Sequence, residues 1–205
     1  MITINKILDC ELYLQNVQGV IFDLDDTLFS EKEYVNSGYA AVAAAFPFVK
    51  DMQKRLWDAF EQKLPAIDFV LEQEGLLSEK AKALNIYRTH IPTLHLYHGV
   101  YELLHRLRET KKLALITDGR PDGQRAKISA LGLAPLFDVI IVTDELGGAE
   151  YRKPNETSFR LVQQKWDIPF EALVYIGDNP RKDFVAPQAL GMKSIYFKNE
   201  EGIYF

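Results

Sequence analysis

The chain has 205 residues, a formal net charge of −5, 47% hydrophobic and 26% charged residues, enough for one substantial core or a core with a small appended domain. The negative balance and the lack of any basic run exclude a nucleic-acid binder that works by neutralising phosphates. Cys10 is the single cysteine, so there is no internal disulfide and a reducing compartment fits; residues 1–7 lack a secretory pattern and no stretch approaches the ~18 apolar residues of a membrane span, so the expectation is a cytoplasmic protein with neither membrane nor nucleic-acid partner.

Residues 1–16 leave two readings open, an edge strand or a short helix: Ile2 and Ile4 alternate, while Leu12, Leu14 and Val17 could face a core. The apolar, β-branched and aromatic run over residues 17–23 predicts a buried strand. From residue 29 to about 96 the period turns helical. Tyr34, Val35, Tyr39, Val42 and residues 43–46 mark one helix; Met52, Leu56, Trp57, Phe60 and Leu64 mark a second, ended by Pro65. Phe69, Val70 and Leu71 mark a third, closed by Gly75, and Ser78 is placed as the N-cap of a fourth running through Ala81, Leu84 and Tyr87. With no strand among them, these helices read as an insertion.

After the insertion, helices and strands alternate. Val100, Leu103, Leu104 and Leu107 form a helical stripe, and residues 113–116 a strand. Pro121 opens a helix reaching Leu131, with Gly132 as its stop. Residues 139–142 form a strand, and Pro154 opens a helix through Phe159 and Val162. A strand at 173–176, a helix through Phe184, Val185 and Leu190 ending at Gly191, and a strand at 194–197 complete the chain. Continuous apolar strands separated by amphipathic helices predict an α/β fold, a doubly wound parallel sheet covered on both faces.

In such a sheet, ligands bind outside the carboxyl ends of the strands. Asp23 and Asp25 follow the first strand, Thr117-Asp118-Gly119 the second, Arg152-Lys153-Pro154 the third, and Gly177-Asp178-Asn179 with Asp183 the fourth. Burying carboxylates costs several kcal/mol unless a cation or strong donors compensate, so these ends predict a metal site. The groups match the needs of phosphate-ester hydrolysis, which requires a nucleophile, charge neutralisation, donors for the phosphoryl oxygens and a proton source for the leaving oxygen. Asp23 is the expected nucleophile. Asp25, two positions on, suits acid–base work, though a turn between them would re-aim it. Asp23 and Asp178 could hold Mg²⁺. Thr117, backbone N–H groups and Lys153, taken as lying at a helix start, can bind phosphoryl oxygens. Asp183 could orient Lys153 or a metal-bound water.

With these motifs in place, the chain resembles the haloacid dehalogenase (HAD) superfamily, in particular its aspartate-nucleophile phosphatases. The resemblance rests on Asp23-Leu24-Asp25-Asp26-Thr27-Leu28, Thr117-Asp118-Gly119, Lys153-Pro154 and Gly177-Asp178-Asn179 with Asp183, in order and each after a strand, and spans residues 17–197. It implies a HAD-like, Rossmann-like core of residues 1–28 and 97–205 and a small all-helical cap of residues 29–96, of the kind that closes over such sites and helps choose substrate. It implies Mg²⁺ held by the carboxylates of Asp23 and Asp178 and the backbone carbonyl of Asp25. It further implies catalytic roles for Asp23, Asp25, Thr117 and Lys153, phosphate contacts from Thr117, Asp118 and Lys153, and support behind the metal ligands from Asp183 and Asn179. The second motif departs from the family in carrying Asp118 where Asn is more usual; its backbone N–H can still bind phosphate, and Arg120 and Arg125 are the expected neutralisers of its charge.

The remaining prominent residues read as structural. Arg120, Arg152 and Arg181 read as solvated, His90, His95 and His98 as hinge and surface packing, and Tyr34, Tyr39, Phe46, Phe48 and Trp57 mostly as cap core. Asp26 reads as structural, and Thr27 as holding its turn. The functional expectation is a Mg²⁺-dependent phosphatase acting on a small phosphorylated metabolite, a sugar phosphate or a nucleotide, through an aspartyl phosphate. A sugar phosphomutase on the same scaffold and a non-catalytic binding module are the alternatives, and monomer and homodimer stay equally open.

Overall fold

A computed structural model of the chain describes residues 1–203. The apolar runs become six strands: Ile2–Ile4 (β1), Gly19–Phe22 (β2), Lys112–Thr117 (β3), Val139–Val142 (β4), Leu173–Gly177 (β5) and Lys193–Phe197 (β6). They form one sheet in the order β1-β6-β5-β2-β3-β4, parallel at every pairing. From β2 the chain steps outward to β3 and β4, then crosses back to β5 on the other side of β2. The topological switch therefore lies between β2 and β5, where Phe22 is registered against Ile176, and the segments leaving those two strands share one crevice.

Both readings of the N-terminal stretch occur. Residues 2–4 pair with Ile195–Phe197 as the outermost strand, and Ile7–Tyr13 forms a 3₁₀ helix that buries Ile7 and Cys10 while Leu12 stays exposed. On one face of the sheet, Ile21, Ala114, Ile116 and Tyr175 pack against Phe159 and Val162 of Thr157–Trp166 and against Phe184 and Ala186. Alternation sends Phe22 to the other face, edge-on to Phe137 at 6.3 Å. Each such side chain contributes about 1.5–3 kcal/mol by leaving water.

The chain divides into two compact units, residues 1–31 with 95–205, and residues 32–94. Phe29 and Leu96 stay with the first unit through an antiparallel bridge to each other. The helices are Glu31–Ala45 (α1), Met52–Glu61 (α2), Ala66–Gln73 (α3) and Lys80–Thr89 (α4), then Val100–Arg108 (α5), Pro121–Ala130 (α6), Thr157–Trp166 (α7) and Val185–Ala189 (α8). Inside the second unit Tyr34, Tyr39, Val42, Met52, Leu56, Val70 and Leu71 are buried. Gly38 lets the ring of Tyr87 approach α1, since a Cβ there would stand 2.5 Å from the ring. Phe48 is exposed rather than cored. Among the described residues no helix is long and apolar enough to cross a membrane.

Two local expectations need correction. Ser78 lies inside a 3₁₀ turn, Leu77–Glu79, and makes no capping bond; α4 begins at Lys80. Pro154 does not open α7, which starts at Thr157; Asn155 Oδ1 accepts the Thr157 N–H at 2.9 Å. Lys153 therefore sits in a loop rather than at a helix start. The helix through Val185 forms as expected, at Val185–Ala189, burying Ala186 and Pro187 and leaving Val185 exposed.

Candidate active site

β2 delivers Asp23 to the crevice with its backbone still in register, the Asp23 N–H reaching Ile176 O at 2.9 Å. The chain then turns sharply. Asp26 adopts φ +51°, and its fully buried carboxylate accepts the N–H of Glu31 at 2.9 Å and of Ile203 at 2.7 Å. That carboxylate caps α1 and ties down residue 203. The turn re-aims Asp25 away from Asp23.

Lys153 is the hub of the site. Its ammonium lies 2.6 Å from Asp23 Oδ1, 2.9 Å from Asp183 Oδ1 and 2.7 Å from the hydroxyl of Tyr175. Burial opposes the charge on Lys153, but Asp183 and Asp23 overcome it and hold the ammonium well above its ordinary pKa. Asp183 is anchored in turn, its Oδ2 accepting the N–H of Asn179 at 2.9 Å and its Oδ1 the hydroxyl of Tyr175 at 3.3 Å.

Asp23, Asp178 and Asp183 each offer an oxygen within 4.8 Å of the others, all buried. Lys153 contacts two of these carboxylates, Asp23 and Asp183. Among the described residues, Asp178 is bonded weakly, by the Thr27 hydroxyl at 3.5 Å. Burial, with the charges of Asp23 and Asp183, pushes its pKa up to about 9; burial, countered by Lys153, pushes Asp23 to about 7. An all-oxygen set with excess negative charge fits a hard divalent cation. The carboxylate of Asp25 stays outside this set. Lys127 Nζ holds its Oδ1 at 2.6 Å and Gln124 Nε2 its Oδ2 at 2.8 Å, and Gln124 Nε2 also donates to the buried hydroxyl of Thr117. Glu31, 3.8 Å from Lys127, has its pKa raised to about 8 by burial and by the charge of Asp25.

The neutraliser expected for Asp118 is different. Arg125 pairs with Glu145 at 2.6 Å, and Arg120 is exposed. Instead, Asp118 Oδ2 accepts Lys182 Nζ at 3.1 Å, and Oδ1 accepts the Thr143 hydroxyl at 2.9 Å and the Lys153 N–H at 3.0 Å. Burial works against its ionisation, yet Lys153 and Lys182 hold the carboxyl below its usual range. Asp118 thereby links the segments after β3, β4 and β5. Arg152 pairs with Asp144 at 2.7 Å, and Arg181 is exposed, its N–H bonded to Asn179 Oδ1 at 3.1 Å.

The structure thus brings Asp23, Lys153, Asp178, Asp183 and Asn179 together, and sets Asp25 beside Thr117 through Gln124. Sequence reasoning missed Gln124, Lys127, Tyr175, Thr143 and Lys182. One signal was available for two of them. Gln124, Lys127, Ile128 and Leu131 follow the i, i+3, i+4, i+7 spacing of a buried stripe, which marks Gln124 and Lys127 as inward-facing polar groups in need of partners.

A model of the haloacid dehalogenase-like hydrolases matches residues 20–197. The glyceraldehyde 3-phosphate phosphatase of Methanocaldococcus jannaschii is 29% identical, over 87% of this chain and 84% of that protein. The pyrimidine 5′-nucleotidase YjjG of Escherichia coli is 23% identical, over 86% of this chain and 84% of its own. Among solved structures, the magnesium-bound HAD-hydrolase YfnB of Bacillus subtilis superimposes with a TM-score of 0.65 at 21% identity, covering 88% of this chain and 86% of that one.

Proposed function

Since the chain belongs to the haloacid dehalogenase-like hydrolases, we propose that it is a Mg²⁺-dependent phosphatase that hydrolyses a small phosphorylated metabolite through an aspartyl phosphate on Asp23. One observation carries the reading: the buried Asp23–Lys153–Asp183 ion cluster has an under-compensated Asp178 beside it. The relatives reported above support the phosphate-ester class, and their substrates, a triose phosphate and a pyrimidine nucleotide, support the small-molecule class. The helical unit, residues 32–94, is read as a substrate-selecting cap.

Asp23, Asp178 and the Asp25 backbone carbonyl would hold Mg²⁺, which when bound would supply the positive charge that an anionic nucleophile needs beside an anionic ester. Lys153, fixed by Asp183 and Tyr175, favours the ionised form of Asp23 against burial and neutralises a phosphoryl oxygen. The Thr117 hydroxyl and the backbone N–H of Asp118 donate to other phosphoryl oxygens. Asp23 attacks phosphorus, and Asp25 gives its proton to the leaving oxygen. Asp25 then takes a proton from the water that cleaves the aspartyl phosphate.

The test is release of inorganic phosphate across a panel of sugar phosphates and nucleotides. Turnover should stop with EDTA and in Asp23→Asn. Activity surviving either treatment refutes the nucleophile–metal reading, and an isomerised sugar phosphate in place of free phosphate decides for a mutase.

A further inference from the structure

Lys127 sits in a nearly closed environment, only 4% exposed, and Gln124 is buried to the same degree. Burying an ammonium costs several kcal/mol, and a well-packed apolar side chain at such a position is often neutral or stabilising by comparison. Stability alone therefore does not account for Lys127. Its surroundings include Asp25 at 2.6 Å, Glu31 at 3.8 Å and the ring of Phe29 at 5.9 Å.

We propose that Gln124 and Lys127, three positions apart on α6, form a two-point clamp that positions the Asp25 carboxyl for proton transfer with the leaving oxygen. The inference deepens the phosphatase reading above and rests on it. Each residue takes one oxygen of Asp25, which stops the carboxyl rotating about its two side-chain torsions. The clamp also sets distance. The Gln124 amide nitrogen has two hydrogens, and its partners are Asp25 Oδ2 and Thr117 Oγ1. The group that handles the proton and the group that grips the phosphoryl oxygen are thus tied through a single atom.

The chemistry served is balanced in two steps. As Asp23 bonds to phosphorus, the bond from phosphorus to the leaving oxygen breaks. Its electron pair stays on that oxygen, which takes the proton of Asp25. Water then gives a proton to Asp25 as its oxygen bonds to phosphorus, and the bond from phosphorus to Asp23 breaks, returning the pair to the carboxylate. Gln124 and Lys127 touch neither substrate nor phosphorus in this scheme; they are positioning residues.

The deciding measurement is kcat/KM, which reports events up to departure of the leaving group, on two substrates. Ethyl phosphate releases an alcohol that needs a proton, and p-nitrophenyl phosphate releases a phenolate that does not. Lys127→Met should lower the value for ethyl phosphate by about 10²–10³-fold, the range of general acid catalysis, and that for p-nitrophenyl phosphate by less than about tenfold. Lys127→Arg should restore most of the loss. In an Asp25→Asn background, Lys127→Met should cost less than about twofold more, because the carboxyl it positions is already gone. Equal losses on both substrates, no loss on either, or full additivity with Asp25→Asn overturns the clamp. Should Lys127→Met fail to fold, Gln124→Met must show the same bias against ethyl phosphate, and its absence likewise overturns the proposal. A parent protein that releases phosphate from neither of these esters nor from any member of the panel above overturns the phosphatase reading itself, an outcome distinct from a parent that is active and variants that show no bias.

Discussion

Replacing Asp178 with asparagine should make the cation-free protein more stable while abolishing its turnover. Asp23, Asp178 and Asp183 approach one another within 4.8 Å. Lys153 compensates two of them directly, Asp23 at 2.6 Å and Asp183 at 2.9 Å, and Asp178 has the Thr27 hydroxyl at 3.5 Å. At an effective dielectric of about 20, two unit charges separated by 4.8 Å repel by about 3 kcal/mol. If ionised, Asp178 would feel two such repulsions, offset in part by Lys153, so its carboxyl keeps a proton instead, and an asparagine, which needs none, should make the fold about 3 kcal/mol more stable at pH 8. The sign in pH follows from its raised pKa, about 9. Between about pH 4 and pH 9 the native carboxyl keeps a proton that the unfolded chain has lost, so the parent loses stability as pH rises through that window and the asparagine variant does not. Thermal melts in EDTA should place the variant about 6–12 °C above the parent at pH 8, at about 2–4 °C per kcal/mol for a chain of this size. The gap should narrow at pH 5. Added Mg²⁺ should raise the parent's Tm and leave the variant's nearly unchanged. A variant melting at or below the parent in EDTA at pH 8 would show that Asp178 is already compensated, and the electrostatic reasoning would be wrong.

Lys153→Met strands Asp23 and Asp183 without their ammonium, so the urea midpoint should fall by an amount equivalent to about 3–5 kcal/mol, with turnover lost as well. Asp118→Ala removes the acceptor of the Lys153 N–H and the Thr143 hydroxyl and should cost about 2–4 kcal/mol in chemical denaturation, whereas Asp118→Asn keeps an acceptor oxygen and should cost less than about 1 kcal/mol. Burial pushes the thiol of Cys10 up to about 12. Because the folded pKa lies above the unfolded one, the thiol favours the fold at lower pH and this contribution fades as pH climbs above about 9. A thiol-specific chromogenic reagent at pH 8 should find Cys10 only after denaturation, and prompt reaction with the native protein would contradict its burial.

The sheet was legible because its strands are uninterrupted apolar runs that lie within a residue or two of their observed ends, and because helices between them carry clear stripes. The acidic and hydroxyl residues of the site were legible for a related reason: a carboxylate directly after a buried strand has no local structural use. Residues that reach the site from helices were harder to see. Lys127 and Gln124 on α6 look like ordinary surface residues until the buried register of that helix is known. Tyr175 reads as one more apolar strand position, since nothing local reveals that its hydroxyl meets Lys153 and Asp183. The arginines misled in the opposite sense. Arg120 and Arg125 stand beside Asp118 in sequence, but helix geometry turns Arg125 to Glu145, and the charge that meets Asp118 comes from Lys182, 64 positions away. Pro154 suggested a helix start that belongs to Thr157, because the turn after Lys153 must first close before α7 begins.

The three-residue strand β1 has a consequence of another kind. Ile2, Thr3 and Ile4 occupy the hydrogen-bonding row of β6, and the Lys198 N–H continues the contact to Ile4 O at 2.8 Å. Stripped of that cover, Ile195, Tyr196 and Phe197 would present a flat apolar flank with unpaired amides, the template on which separate molecules join strand to strand and precipitate. A short outer strand is too small to extend such an array itself, so these few residues act as a guard on solubility, a duty unrelated to the chemistry at the far ends of the same strands.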